Sequence, residues 1–100
     1  MEITTSLDGT TATIKVTGKL TVATSPELED EVRRLADTAV NYDIDLSGLE
    51  YISSAGLRVL VSTQKLAAQR GGSIRLLQPT EDVNEVFEMT GLSEVMTIVD

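Results

Sequence analysis

The sequence contains no cysteine and no histidine among its 100 residues. Without cysteine there is no disulfide scaffold, no thiolate-bound zinc or iron–sulfur cluster and no cysteine nucleophile. Without histidine, a serine–histidine hydrolase site and most transition-metal sites lack support. We therefore expect no cofactor and no metal. The missing thiols are compatible with a reducing cytoplasm.

Positive charge is also scarce. The chain has eight Lys and Arg against 16 Asp and Glu, which gives a formal net charge of −8. An excess of negative charge opposes binding to nucleic-acid phosphates, so no nucleic-acid partner is expected. An acidic balance is also an ordinary solubilising surface.

Targeting and membrane signals are missing from the sequence. The start, Met-Glu-Ile-Thr-Thr, has neither a basic region nor an apolar signal core. No apolar run approaches membrane-spanning length, so no direct membrane insertion is expected. The chain has no linker, repeat or low-complexity tract. It predicts one soluble, cytoplasmic domain over residues 1–100.

The first half of the chain predicts three strands. Strict alternation over residues 11–20 is typical of a strand with one buried and one wet face. Residues 2–7 are expected to pair with it as a hairpin through Asp8-Gly9. A short strand follows at residues 42–46, and residues 47–52 are predicted to form a loop.

Three helices are marked by their end signals. Ser25 is a candidate cap for the first, with Pro26 at the first helical position. Its apolar stripe falls at Leu28, Val32, Leu35 and Ala39. The second helix is predicted over residues 54–70, before a Gly-Gly pair. Pro79 and Thr80 open the third, which ends at Gly91.

The order of these elements predicts the fold class. Residues 73–77 form a fourth strand, and residues 95–99 either add a fifth or pack against the sheet edge. The order is β-β-α-β-α-β-α, with an optional final strand. This order indicates an α/β domain with a mixed, mostly parallel sheet. The wet face of the second strand places the helices mainly on one side.

The start of the second helix is the strongest candidate site. In the structural interpretation, Ser53 caps the helix and Ser54 is an ordinary first-turn residue. Helix geometry separates the two serines further. A polar stripe is expected at Ser54, Arg58, Ser62, Lys65 and Gln69, and an apolar one at Leu57, Leu60, Val61, Ala67 and Ala68. Ser54 therefore heads an exposed face and is more accessible to a modifying enzyme than Ser53.

Other kinds of functional site have weaker support from the sequence. The glycines here lack the Gly-Lys-Ser/Thr ending of a phosphate-binding loop. Ser54 lacks the glycine context of a nucleophile elbow, and no histidine is present to act as its base. Asp43 and Asp45 on one strand face are a possible magnesium site, although paired exposed carboxylates are more often solvated.

Residues 45–60, Asp-Leu-Ser-Gly-Leu-Glu-Tyr-Ile-Ser-Ser-Ala-Gly-Leu-Arg-Val-Leu, resemble the signature of STAS domains. This family includes the bacterial anti-sigma factor antagonists and domains of sulfate transporters. The resemblance extends over nearly the whole chain, since residues 18–28 are similar to the family's first strand-to-helix segment. Two positions depart from the pattern, because Ser53 and Thr21 stand where the family usually has aspartate.

The resemblance implies a function based on switching between partners, in which the protein is a kinase substrate and not an enzyme. The antagonist binds an anti-sigma factor that is also a serine kinase, and this binding frees a sigma factor. Phosphorylation of the serine aligned with Ser54 ends the interaction, and a serine phosphatase reverses the modification. By the same alignment, the partner-binding residues are Ser53, Ser54, Gly56, Leu57, Arg58 and Thr21.

Two other classes of function remain open at this point. One is a non-phosphorylated STAS scaffold in a multiprotein signalling or lipid-transport assembly, which the departures at Ser53 and Thr21 favour. The other is a nucleotide- or small-molecule-binding domain that uses the strand ends near Thr21 and Asp45.

Overall fold

The computed structural model describes residues 1–100 and contains five strands and four helices. The strands are β1 (Glu2–Asp8), β2 (Thr11–Leu20), β3 (Asn41–Ile52), β4 (Ile74–Leu77) and β5 (Thr97–Val99). The helices are α1 (Ser25–Leu35), α2 (Ser54–Gln69), α3 (Glu81–Thr90) and α4 (Leu92–Val95). The predicted order is confirmed, and α4 is an element that the sequence analysis did not predict.

The strands lie in the sheet in the same order as in the chain, β1-β2-β3-β4-β5. The first pair is antiparallel and the other three are parallel. Each parallel step moves one place in the same direction, and such crossovers are almost always right-handed. All connecting helices are therefore carried to one face of the sheet, which confirms the predicted one-sided arrangement.

The hydrophobic core lies between that face and the helices. Strand side chains that point toward it are buried, including Ile14, Ile44 and Leu76. The opposite face carries polar side chains and has no helix over it. There Asp43 and Arg75, directly paired in register, form a two-point ion pair with nitrogen–oxygen distances of 2.9 and 2.7 Å.

Strand β3 is longer than predicted. Residues 47–52 were expected to form a loop, but they continue the strand. The pairing of β3 with β2 shifts register twice, and each shift places one extra residue in β3. The first shift lies between Lys15 and Thr17 of β2, and the second lies between Gly18 and Lys19. Such bulges interrupt the two-residue period. Buried residues therefore recur every third position, at Leu46, Leu49 and Ile52, and this spacing hides the strand from periodicity analysis.

The helix ends differ from the expectations in one place. Helix α1 begins at Ser25, so the N-cap is Thr24 and Pro26 is the second helical residue. The Ser25 hydroxyl donates to the Thr21 carbonyl instead of capping the helix. Helix α3 has the predicted ends, because the Thr80 hydroxyl accepts from the Val83 N–H and Gly91 closes the helix in the left-handed conformation.

Candidate functional site: the Ser54 end of helix α2

Ser53 is held in place at the start of α2. Its backbone N–H donates to the Leu20 carbonyl at 2.8 Å, which joins the end of β3 to the end of β2. Its hydroxyl accepts from the Gly56 N–H at 3.1 Å, so it is the N-cap that the structural interpretation expected. Only 8% of Ser53 is exposed. This serine stabilises the helix and offers little surface to another protein.

Ser54 occupies a different environment, although it is the next residue. It is the first residue of α2 and is exposed. The hydrogen bonds at this helix end are made by the Ser53 hydroxyl and backbone and not by Ser54. The Ser54 hydroxyl is therefore free to enter the active site of another protein without breaking a contact in this fold.

Gly56 lies on the buried side of the same turn. A Cβ at this position would lie 2.8 Å from side-chain carbons of both Ile52 and Leu20. The absence of a side chain therefore allows the first turn of α2 to pack directly on the ends of β2 and β3. Gly56 was predicted to contact a partner. The residue is buried and positions the helix, and its contact with a partner stays a prediction.

The exposed and buried faces of α2 are rotated slightly from the prediction. The fully buried positions include Leu60 and Ala67 as expected, but also Thr63 and Gly56. Ala68 is exposed, so its assignment to the core face was wrong, whereas Leu57 and Val61 are half-buried and pack against the core. A threonine is tolerated in this core because its hydroxyl donates to the Val59 carbonyl at 2.7 Å.

The polar stripe of α2 is found where it was predicted. Arg58, Ser62 and Lys65 are exposed along with Ser54. Helix α2 contains these two basic residues and no acidic residue, whereas α3 contains four acidic residues and no basic one. The Ser54 face is therefore locally positive on a chain whose net charge is −8.

Thr21 lies at the same edge of the sheet but belongs to a separate surface. Its hydroxyl lies 3.2 Å from both the hydroxyl and the N–H of Thr24, and its own N–H donates to the Thr24 hydroxyl at 2.8 Å. These bonds hold the turn between β2 and α1. Thr21 is half-buried and lines a cleft at the strand ends with Lys19, Glu50, Tyr51, Thr80 and Asp82.

That strand-end cleft is poorly suited to phosphate. It has two carboxylates and a single lysine, and no glycine-rich loop lines it. This composition gives no support to the nucleotide-binding alternative.

The carboxylates of Asp43 and Asp45 are hydrogen-bonded to other residues of the chain. Asp43 is engaged by the Arg75 guanidinium. Asp45 accepts from the backbone N–H of Ser47 at 3.0 Å and from its hydroxyl at 2.7 Å. The Ser47 backbone N–H lowers the pKa of the Asp45 carboxyl, and the Ser47 hydroxyl and nearby Lys15 act in the same direction. No group of three or more potential acidic or histidine ligands occurs in the structure.

A groove beside the Ser54 end of α2 was not predicted. It lies between α2 and the segment 90–95, and Ser54, Leu57 and Arg58 form its upper end. Val61 and Lys65 continue it along α2, while Leu92 and Val95 form the opposite wall. The wall depends on α4, a four-residue helix too short to produce a periodic signal in the sequence.

No helix has both the length and the hydrophobicity needed to cross a lipid bilayer.

Comparison with known proteins gives a consistent result. The family model described as "Mlab, STAS domain" matches residues 3–100. The anti-sigma-B factor antagonist of Bacillus subtilis is 31% identical over 85 residues, which cover 85% of this chain and 78% of that protein.

Two solved structures have the same fold. The anti-sigma factor antagonist SpoIIAA in its unphosphorylated form superposes with a TM-score of 0.87 at 17% identity, covering 99% of this chain and 89% of that one. Bacillus SpoIIAA in the phosphorylated form gives a TM-score of 0.79 at 16% identity, covering 99% and 92%. These relatives are binding proteins and not enzymes. The chain belongs to the STAS-domain family, within its group of anti-sigma factor antagonists.

Proposed function

We propose that the unphosphorylated protein binds an anti-sigma factor that is also a serine kinase, and so frees a sigma factor in the bacterial cytoplasm. Phosphorylation of Ser54 ends this binding, and a serine phosphatase restores the active form. The observation that carries the proposal is the contrast between adjacent serines. Ser54 is exposed with a free hydroxyl, whereas Ser53 is fixed as the helix cap.

The local physics favours release without unfolding. A phosphate adds about −1.5 to −2 charges at pH 7. At a helix N-terminus this charge stabilises by roughly 0.3–1 kcal/mol, so the fold is expected to survive. At a protein interface the same charge must be desolvated against a surface that fits a hydroxyl. An unpaired buried charge costs several kcal/mol, and each ~1.4 kcal/mol is a tenfold change in affinity.

Two printed descriptions of relatives support the proposal. The Bacillus subtilis relative is an anti-sigma-B factor antagonist. SpoIIAA is known in a phosphorylated and an unphosphorylated form. The inference that this chain is phosphorylated depends on the alignment of Ser54 with the modified serine of the family.

The proposal is tested by mapping the phosphate. The protein is incubated with its cognate anti-sigma factor kinase and ATP, and the modified residue is identified by mass spectrometry. Ser54→Ala is expected to accept no phosphate and still bind the kinase, because a lost hydroxyl removes little contact. Ser54→Asp is expected to bind at least about tenfold more weakly through the cost of desolvation.

Two other serines serve as matched controls. Ser47 and Ser62 are exposed like Ser54, but their hydroxyls donate to Asp45 and to the Val59 carbonyl. Ser47→Ala and Ser62→Ala should accept phosphate as the parent does. Phosphate found on Ser53, or a Ser54→Asp variant that binds as tightly as the parent, would contradict the switch.

A second candidate function is a non-phosphorylated scaffold in a multiprotein signalling or lipid-transport assembly. The observation that favours it is Ser53, which stands where the family usually has aspartate next to the modified serine. A partner complex that forms with equal affinity whether or not Ser54 carries phosphate would support this candidate.

A further inference from the structure

The groove beside α2 offers an uncovered apolar strip. Its volume is about 690 Å³, and its apolar lining is Leu57, Val61, Leu92 and Val95. Val95 is 63% exposed, Leu57 and Val61 are half-buried, and Leu92 is 7% exposed. Apolar side chains that stay partly exposed in one groove are typical of a binding surface.

The two walls of the groove are tied together. The side-chain amide of Gln64 on α2 donates to the Val95 carbonyl at 2.8 Å. Gly91, in the left-handed conformation, turns the chain from α3 into α4 and sets the direction of the second wall. The groove is therefore formed before any partner binds, and a preformed site lowers the cost of ordering on binding.

The lip of the groove carries unpaired positive charge. Arg58 and Lys65 line it and take part in no ion pair. Of the five arginines, three have carboxylate partners, in the pairs Arg33–Glu29, Arg34–Glu31 and Arg75–Asp43, whereas Arg58 and Arg70 have none. On a chain with a net charge of −8, this lip is a place where an acidic partner is attracted and not repelled.

We infer that this groove binds an amphipathic helix of a partner protein, with carboxylates two turns apart and apolar side chains between them. Arg58 and Lys65 are seven positions apart on one face of α2, which corresponds to about 10.5 Å along the axis. Glutamates at i and i+7 of a helix lying along the groove match this spacing. The apolar residues at i+3 and i+4 then face the apolar strip.

The inference rests on the proposed partner-binding role of the Ser54 surface and adds the chemistry of the recognised element. Ser54 lies at the upper end of the groove, one helical turn before Arg58. A phosphate on Ser54 would offset the charge of Arg58 and repel the carboxylates of the bound helix.

A synthetic peptide tests the groove without any kinase. The probe is a helical peptide of about 15 residues with two glutamates seven positions apart and leucines at the third and fourth positions between them. It is titrated into the full, isotope-labelled chain and followed by NMR. The resonances of Leu57, Val61, Leu92 and Val95 should shift, and a peptide with lysines in place of the glutamates should bind at least about tenfold more weakly.

Charge reversal gives a sharper test. The double variant Arg58→Glu/Lys65→Glu should reverse the preference and bind the lysine peptide more tightly than the glutamate peptide. Lys15→Glu/Lys19→Glu is a matched control, because it changes the net charge equally at two exposed lysines outside the groove. This control should keep the preference for glutamate. Val95→Asp, at an exposed position, should fold normally and lose at least about tenfold in affinity for the glutamate peptide.

Several results would overturn the inference. They are the absence of groove shifts with millimolar glutamate peptide, equal binding of both peptides, or an unchanged preference in the charge-reversed variant. A concentration-dependent dimer that Val95→Asp abolishes would identify a second copy of this chain as the occupant and also overturn it. The peptide titration contains no kinase, so it tests the groove separately from the switch. Binding of the glutamate peptide, together with no phosphate uptake at Ser54 in the kinase experiment, would contradict the switch alone. Phosphate uptake without peptide binding would contradict the groove alone.

Discussion

The backbone of Gly72 lies directly against the carbonyl group of Val40. A Cβ on Gly72 would lie 1.7 Å from that carbonyl oxygen and 2.4 Å from its carbon. The contact joins the turn after α2 to the turn before β3. Both partners are backbone, so neither can give way by changing a rotamer.

We expect Gly72→Ala to lower the free energy of unfolding by about 3 kcal/mol or more, because the added methyl group must displace a chain segment. Gly71→Ala is a matched control. Gly71 has a φ of 77° but nothing lies within 4 Å of its added Cβ, so only about 1 kcal/mol of backbone strain is expected. Urea unfolding of the two variants checks the difference, and equal losses would contradict the close contact.

The rotated core face of α2 predicts unequal effects of two leucine substitutions. Leu60 is fully buried, so Leu60→Ala should cost ~2–5 kcal/mol. Leu57 is half-buried in the groove wall, so Leu57→Ala should cost about 1–2 kcal/mol. Arg58→Ala should change stability by less than about 0.5 kcal/mol. Thermal unfolding measures all three, and equal effects for Leu57→Ala and Leu60→Ala would show that the helix is rotated differently.

The adjacent serines at the start of α2 should differ in their effect on stability. Ser53→Ala removes the hydroxyl that accepts from the Gly56 N–H, and should cost ~1 kcal/mol. Ser54→Ala removes a free, exposed hydroxyl and should have almost no effect. Denaturant midpoints with unchanged slopes would report this difference. A larger loss for Ser54→Ala than for Ser53→Ala would contradict the cap assignment.

Acid stability should depend on Glu31. Hydrogen bonds from Arg34 and from the Thr5 hydroxyl lower the pKa of this carboxyl from 4.5 to about 2, in spite of its partial burial. Because the folded pKa is depressed, the stabilisation is present above pH 4.5 and is lost as the pH falls toward 2. Since Arg34 is exposed, solvent screens the pair and we expect a contribution of about 1 kcal/mol.

Glu31→Gln should remove this part of the pH dependence. The difference in unfolding free energy between parent and variant should shrink between pH 4.5 and pH 2. Thr5→Val, which removes one of the two donors, should give an intermediate profile. Unfolding measured at a series of pH values checks the prediction, and parallel curves for parent and Glu31→Gln would contradict it.

Most of the fold could be predicted because its signals are local. The alternation in β2 and the end signals of α3, Thr80 and Gly91, each depend on a few neighbouring residues. The second half of β3 could not be predicted, because its two bulges arise from pairing with β2 and leave buried residues three apart. The phase of α2 was misjudged because Gly56 and Thr63, which are not strongly hydrophobic, occupy its buried face.

The candidate site was predictable in part. Helix geometry alone separated an exposed Ser54 from a capping Ser53, and the structure has this arrangement. The burial of Gly56 depends on how closely α2 approaches Leu20 and Ile52, which no local pattern reveals. The groove depends on contact between α2 and Val95, which are distant in the sequence. Residues that form a surface only through such contacts give no signal in a single sequence.

The sheet has its strands in the order in which a ribosome synthesises them. Each strand from β2 to β5 pairs with the strand that precedes it in the chain. During translation, therefore, no later strand has to insert between two strands that were synthesised before it. The growing edge of the sheet is always the most recently synthesised strand, which limits the time during which unpaired edges are exposed to other nascent chains.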